Sequence, residues 1–199
     1  MRTDLDNLSA EELGKLFPIA IAEANPKWRE IFEQEKDRLQ KVLGPNIALR
    51  IEHFGSTAVP GLAAKPTIDI LLKIPKNETI KKELVEKMKA AGYHVILRTD
   101  CPPAYLMFSK GYTPEGFTGQ CFHIHAAPKD HHGLWDRLYF RDFLISQTET
   151  ANECEHLKKE LAVKHQYNHD DYTDAKKEFV QRITELAKKE MNINHSIEA

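Results

Sequence analysis

The chain has 199 residues, 41% hydrophobic and 29% charged, with a formal net charge of −2. That length suits one domain with a substantial core. The charge gives no basic field to favour nucleic acid, and no apolar run approaches the ~18 residues of a membrane span.

Cys101, Cys121 and Cys154 are odd in number and widely spaced, unlike a disulfide framework. The start, Met1-Arg2-Thr3-Asp4, lacks the apolar stretch of a secretory signal. A reducing cytoplasm is the compartment expected.

Ser9-Ala10-Glu11-Glu12 is a capping-box pattern that opens a short helix, ended by Pro18. Ile19 to Ala22 reads as an edge strand or a packed lead-in. Asn25 caps a helix with Pro26 at its first position, where the missing N–H costs nothing. Trp28, Ile31, Phe32, Leu39, Val42 and Leu43 recur at helical spacing until Gly44-Pro45 stops them. Ile47, Leu49 and Ile51 alternate with Ala48, Arg50 and Glu52, the period of a one-sided strand. A second strand is expected from Thr67 to Ile74, then a helix from Glu78 to Ala91 ended by Gly92.

Tyr93 to Leu97, Ala104 to Phe108 and Cys121 to Ala126 are further expected strands. Gly111, Pro114, Gly116 and Gly119 predict a long turn or lid-like loop between the last two. Helices are expected near 132–147, 151–167 and 173–191, with Thr150 and Glu153 as a capping box and a fraying tail from Asn192 to Ala199. His131-His132 reads as cap and surface. Lys158, Lys159, Lys164, Lys176 and Lys177 alternate with acids, as on a solvated helical face.

The chemistry concentrates between His53 and Leu72. His53-Phe54-Gly55-Ser56-Thr57 reads as a strand running into a Gly-Ser turn. Glycine has no Cβ to block approach, so the N–H groups of Ser56 and Thr57 and the Ser56 hydroxyl can meet a phosphate. The alternative is a plain strand-end turn. Lys65, just before the next strand, is either a phosphate-neutralising cation or a loop lysine.

Asp69 stands in the apolar strand Thr67-Ile68-Asp69-Ile70-Leu71-Leu72. A carboxylate there needs a metal, a cation or several donors. Strand parity places Thr67, Asp69 and Leu71 on one face and Ile68, Ile70 and Leu72 on the other. In Cys121-Phe122-His123-Ile124-His125-Ala126, the same parity groups Cys121, His123 and His125. Parity does not make the two strands neighbours; only if they adjoin would Asp69 with His123 and His125 form a two-histidine, one-carboxylate set suited to Mn²⁺, Fe²⁺ or Zn²⁺ better than Mg²⁺. Alternatively, the histidines satisfy core hydrogen bonds.

The segment IEHFGSTAVPGLAAKPTIDILL resembles the signature of the GrpB family, within the nucleotidyltransferase-fold superfamily. The resemblance continues through Asn25-Pro26, His123 to His125, Trp135, Phe140 to Leu144 and Tyr172 to Lys176, covering about residues 19–185. It implies an α/β class: one GrpB-like domain over 1–199, with a nucleotidyltransferase-like mixed sheet and flanking helices over about 19–128 and C-terminal helices over about 131–191. It also marks Arg141 and Asp142 as part of the pattern; Arg141 is a phosphate contact or a structural residue. GrpB domains fused to dephospho-coenzyme A kinase occur, which makes a coenzyme A-related ligand conceivable.

The resulting expectation is a protein that binds a nucleotide or phosphorylated small molecule through Gly55, Ser56, Thr57, Lys65 and Arg141, with a divalent metal (Mn, Zn or Mg) at Asp69, His123 and His125. If transfer of a nucleotidyl or phosphoryl group occurs, Asp69, His123 and His125 are its candidate catalytic residues. Two-metal transfer uses bridging carboxylates, and Leu71 stands where a second acid would share the face of Asp69. The alternative is a non-catalytic binding module. A histidine-triad hydrolase is disfavoured, because Cys121 and Ala127 flank the two histidines at the required period. A non-catalytic module would report its ligand to a protein partner that the sequence does not identify.

Overall fold

The computed structural model describes residues 4–99 and 102–197, so the expectations for Met1 to Thr3, Cys101 and the last two residues lie outside the described residues. Ser9 caps α1 (Ala10–Leu16) in the expected reciprocal bond with Glu12. The Asn25 Oδ1 accepts the Lys27 N–H at 3.0 Å and so caps α2 (Lys27–Leu43). Ile19 to Ala22 provides only one bridge, Ala22 to Ala64, not a strand.

Next come β1 (Arg50–Phe54), β2 (Thr67–Lys73), α3 (Glu78–Ala90), β3 (His94–Arg98), β4 (Tyr105–Thr113) and β5 (Gly116–Ala127). The helices α4 (His132–Trp135), α5 (Arg137–Ser146), α6 (Thr148–Lys164), α7 (His169–Ala175) and α8 (Lys177–Ile197) complete the chain. The strands form one mixed sheet in the order β1-β2-β5-β4-β3. Only β2 and β5 run parallel; the other neighbours are antiparallel. This mixed α/β layering with flanking helices is the class the resemblance implied.

The alternation within β2 and β5 sorts their side chains as parity required. Ile68, Ile70, Leu72, Phe122, Ile124 and Ala126 enter the main core beneath α2 and α3, against Phe32, Leu39 and Met88. On the opposite face, Leu71 joins Phe54, Tyr105, Met107 and Leu134 in a second cluster closed by Trp135 and Leu138. Phe143 does not pack on the sheet; it meets Ile183 and Ala187 of α8. Burying a large apolar side chain contributes about 1.5–3 kcal/mol, so these two faces hold the sheet between its helical layers.

Several local expectations give way. Leu49 is 48% exposed and the strand starts only at Arg50; Ile47 and Ala48 close turns onto Gly44 instead. The glycine-rich stretch is not a lid. Gly111, at φ +93°, sits at a bulge between Lys110 and Tyr112, and the chain turns over Pro114-Glu115 from β4 straight into β5. Position 111 also presses on β5, where an added Cβ would come within 2.9 Å of Cys121.

The helix containing Thr150 begins earlier, with the Ala151 N–H bonded to Gln147, so Thr150 cannot cap it. His131 is buried, and its Nε2 meets the Pro103 carbonyl at 2.6 Å; His132 is exposed. The helix of the tail continues through Ile197. Among the described residues, no helix is long and apolar enough to cross a membrane.

Candidate functional site

At the end of β1 the chain needs a sharp bend toward β2. Gly55 supplies it with φ +72° and ψ −175°, a conformation open essentially to glycine alone. Ser56–Ala58 then forms one 3-10 turn. An added Cβ on Gly55 would lie 2.5 Å from Asp69 Oδ2, so the turn is pressed directly onto that carboxylate.

Thr57 locks the bend. Its Oγ1 donates to the Thr67 carbonyl at 3.2 Å and meets His53 Nε2 at 3.1 Å. His53 stacks on Phe32 from the core side, with ring centroids 4.6 Å apart. Burial pushes the His53 imidazole down to about 4, so it is neutral in ordinary buffers. Thr57 is therefore a structural lock, while the half-exposed Ser56 hydroxyl makes no hydrogen bond to the described residues.

The parallel pairing of β2 with β5 places Asp69 directly beside His123, and Asp69 Oδ1 stands 3.6 Å from His123 Nδ1. Burial alone would raise the Asp69 carboxyl; the contact with His123 and the nearby Lys65 charge outweigh it and hold the pKa below the usual value. His123 lies flat against Tyr112, with ring centroids 5.3 Å apart.

His125 stands two pairs further along on the same face, opposite Leu71. It is buried, with Nδ1 3.2 Å from the Tyr105 hydroxyl and its ring edge-on to Phe54. Burial, then Arg137, drives its pKa well below the ordinary histidine value. Among the described residues, no three histidine, cysteine or carboxylate side chains assemble a metal cage. The three expected donors are thus divided: Asp69 and His123 meet, while His125 is engaged with Tyr105.

The missing second acid is also structural. Leu71 is only 1% exposed and sealed in the apolar cluster with Phe54 and Met107. Arg141 is likewise committed: its Nη1 donates to the His53 carbonyl at 2.7 Å and to Glu52 at 3.3 Å, and Asp142 lies 2.7 Å from Nη2. It ties α5 to β1 instead of standing free for a phosphate.

Positive charge enters from two directions. The ammonium groups of Lys65 and Lys176 lie 5.3 and 3.9 Å from the centroid of the Tyr172 ring. Neither has a carboxylate within ion-pair distance among the described residues. Burial pushes Lys65 down, and burial with repulsion from Lys65 brings Lys176 to about 7. Sequence reasoning placed Lys158 and Lys176 on a solvated face. In fact Lys158 of α6 is 3% exposed and donates to the Ala63 carbonyl in the loop before β2, and Lys176, at the junction of α7 and α8, lies against Tyr172. Charge alternation along a helix does not reveal which face a neighbour covers; the YTDAK segment was the only available signal.

A cleft of about 1070 Å³ opens over this sheet face, with Lys65, His123, Ser109 and His94 among its lining. Its roof comes from α1 and from the turn between α6 and α7.

The GrpB protein family matches residues 18–186. A glutamate-rich protein GrpB of Alkalihalophilus pseudofirmus is 32% identical over 83% of this chain and 93% of its own length. The UPF0157 protein YqkA of Bacillus subtilis is 34% identical over 83% of this chain, but the chain spans only 46% of that relative. The crystal structure of conserved protein GrpB from Enterococcus faecalis superposes with a TM-score of 0.74 at 31% identity, over 86% of this chain and 99% of that one. With its family match covering the turn, both central strands, the helix that carries Arg141 and the α7–α8 junction at Lys176, the chain belongs to the GrpB family.

Proposed function

We propose that the protein binds a nucleotide or phosphorylated metabolite at the Gly55–Asp69–His123 corner, with Lys65 and Lys176 neutralising its phosphates. The observation that carries this reading is the pair of half-buried ammonium groups over Tyr172, within electrostatic reach of Asp69 and with no ion-pair partner among the described residues. Burying cations is unfavourable unless an anion compensates, and both lysines are shifted toward neutrality in its absence. Ser56 adds a hydroxyl that is free to donate.

A divalent metal fits this corner as a shared ion. Asp69 and His123 supply two donors 3.6 Å apart, and phosphate oxygens with water would complete the shell. The metal would draw phosphate oxygens toward the carboxylate, which otherwise repels them. Asp69 and His123 orient that contact, while Lys65 and Lys176 carry the remaining charge.

Two-metal group transfer is disfavoured, since Leu71 closes the position of a bridging acid. Transfer with one metal is the second reading, favoured by the His123 imidazole placed between Asp69 and the open cleft. Free, buried Cys121 and Cys154 suit a reducing compartment such as the cytoplasm.

The test is a thermal-shift series with tripolyphosphate, nucleoside triphosphates and coenzyme A precursors, with and without Mn²⁺, Mg²⁺ or Zn²⁺. Binding to the folded state raises the midpoint by mass action. The shift should shrink in Lys176→Met and lose its metal dependence in Asp69→Asn. No shift with any phosphorylated probe overturns the reading.

A further inference from the structure

The bulge between β4 and β5 changes the face that Tyr112 occupies. Up to Lys110 the two strands alternate in step. Ser109 pairs with His123 on the site face, and Lys110 pairs with Phe122 on the core face, where its ammonium lies over Tyr93. Regular alternation would send Tyr112 to the side of Lys110. The register shift at Gly111 pairs Tyr112 with Phe117 instead. The ring emerges on the site face, flat against His123 with centroids 5.3 Å apart and planes only 10° apart. Bulges re-aim side chains in this way beside functional sites.

Tyr112 is pinned on its other sides as well. Phe17 meets it edge-on at 5.1 Å, Phe117 tilts against it at 5.7 Å, and its hydroxyl lies 3.5 Å from Thr67 Oγ1 at the start of β2. Phe17 is itself buried and held: His169 Nε2 donates to its carbonyl at 2.6 Å, and the Ile19 N–H donates to the Gln166 carbonyl at 2.8 Å. The helix that delivers it, α1, lies so close to the α6–α7 turn that an added Cβ on Gly14 would stand 1.8 Å from the Tyr167 carbonyl oxygen. Phe17 falls just before residue 18, where the family match begins, and Tyr112 falls within the match.

A strand fixes the Cβ of a histidine but not the plane of its ring, because rotation about χ2 is broad for an imidazole. A flat aromatic wall on one side removes that freedom. Building on the phosphate-site reading, we infer that Tyr112 and Phe17 are positioning residues for that site. Phe17 wedges Tyr112 against His123, and the stack keeps the His123 Nδ1 edge turned toward Asp69, 3.6 Å away, for the shared metal. Neither residue supplies a donor to the metal; both act through the imidazole. The N-terminal segment thus contributes to a site whose donors all lie on the central sheet.

Isothermal titration of the full chain with inorganic tripolyphosphate, with and without Mn²⁺, separates this role from a merely structural one. Mn²⁺ should raise the affinity of the parent. In Tyr112→Leu that gain should shrink about tenfold, the scale on which the partners of metal-bound imidazoles act, while the metal-free affinity set by the lysines stays unchanged. Tyr112→Phe keeps the ring and should keep the gain. Phe17→Leu stays apolar but loses the ring edge, and should forfeit about threefold of the gain. Circular dichroism verifies that each variant is folded. Equal losses with and without Mn²⁺, an unchanged gain in Tyr112→Leu, or a loss in Tyr112→Phe as large as in Tyr112→Leu overturns the inference and leaves the phosphate site standing. No Mn²⁺ gain in the parent removes the metal and this inference together. The ligand-free protein supplies a second readout: nuclear Overhauser contacts between the His123 and Tyr112 rings should be strong in the parent and weaker in Phe17→Leu. Their absence in the parent, or their persistence in Phe17→Leu, overturns the inference whether or not tripolyphosphate binds. Contacts that behave as expected without any tripolyphosphate binding overturn the phosphate-site reading instead.

Discussion

Replacing Gly55 with alanine separates two costs that the structure superimposes at one position. The first is backbone strain, because φ +72° with ψ −175° lies where a Cβ costs about 1–3 kcal/mol. The second is overlap, because the new methyl would stand 2.5 Å from Asp69 Oδ2. Overpacking of this kind typically costs about 1–3 kcal/mol. Together they predict a loss of about 4 kcal/mol, a large share of the ~5–15 kcal/mol that holds a domain folded. Urea denaturation reads this as a midpoint lowered by about 2 M. In an Asp69→Ala background the overlap is largely relieved and only the backbone cost persists, so the two substitutions should couple by about 1–3 kcal/mol. Gly55→Ala within 1 kcal/mol of the parent, or an equal penalty in both backgrounds, would refute the close approach of turn and carboxylate.

Lys176 predicts a basic-limb effect. Its folded pKa, near 7, lies below the unfolded value of 10.5, so its contribution is complete above pH 10.5 and is lost as pH falls toward 7. Stability should rise with pH across that window by at most about 1.4 kcal/mol per unit, and Lys176→Met should flatten the rise in urea titrations. His53, held near 4, acts in the window between pH 6.5 and 4, where stability falls as the medium acidifies. His53→Gln should weaken that fall, and an unchanged acid limb would contradict the buried neutral imidazole. Leu71→Asp should cost several kcal/mol, because it places a carboxylate among Phe54, Tyr105 and Met107, and should yield no nucleotidyl transfer from radiolabelled nucleoside triphosphate. A stable variant with turnover would show that the apolar seal can open.

The sequence foretold the site best where alternation was unbroken. In β2 and β5, each residue faces the side its parity assigns, and the family resemblance, which set the two strands in one sheet, put Asp69 and His123 on one surface. Alternation could not say which histidine would stand opposite Asp69, since that depends on the register between strands 50 residues apart. It misled at Ile47 and Leu49, where a turn imitates the period. Gly111, Gly116 and Gly119 suggested a loop because glycine is common there, yet Gly111 serves a bulge and a close strand crossing. The lysine pair was legible only as a motif. What buries Lys176 is the arrival of Tyr172 and Lys65 from other segments, and helix periodicity carries no record of that.

The parallel junction between β2 and β5 also governs when the site comes into being during folding. Each of these strands can find its antiparallel neighbour through a comparatively short stretch of chain, but their own joining must close a long loop first. Until that seam zips, the carboxylate and the imidazole belong to separate half-built hairpins. A slip of one residue along the seam would turn His123 into the opposite layer. Ligand binding is therefore a reporter of the least local pairing within the sheet, and refolding followed by bound nucleotide should lag behind refolding followed by strand content.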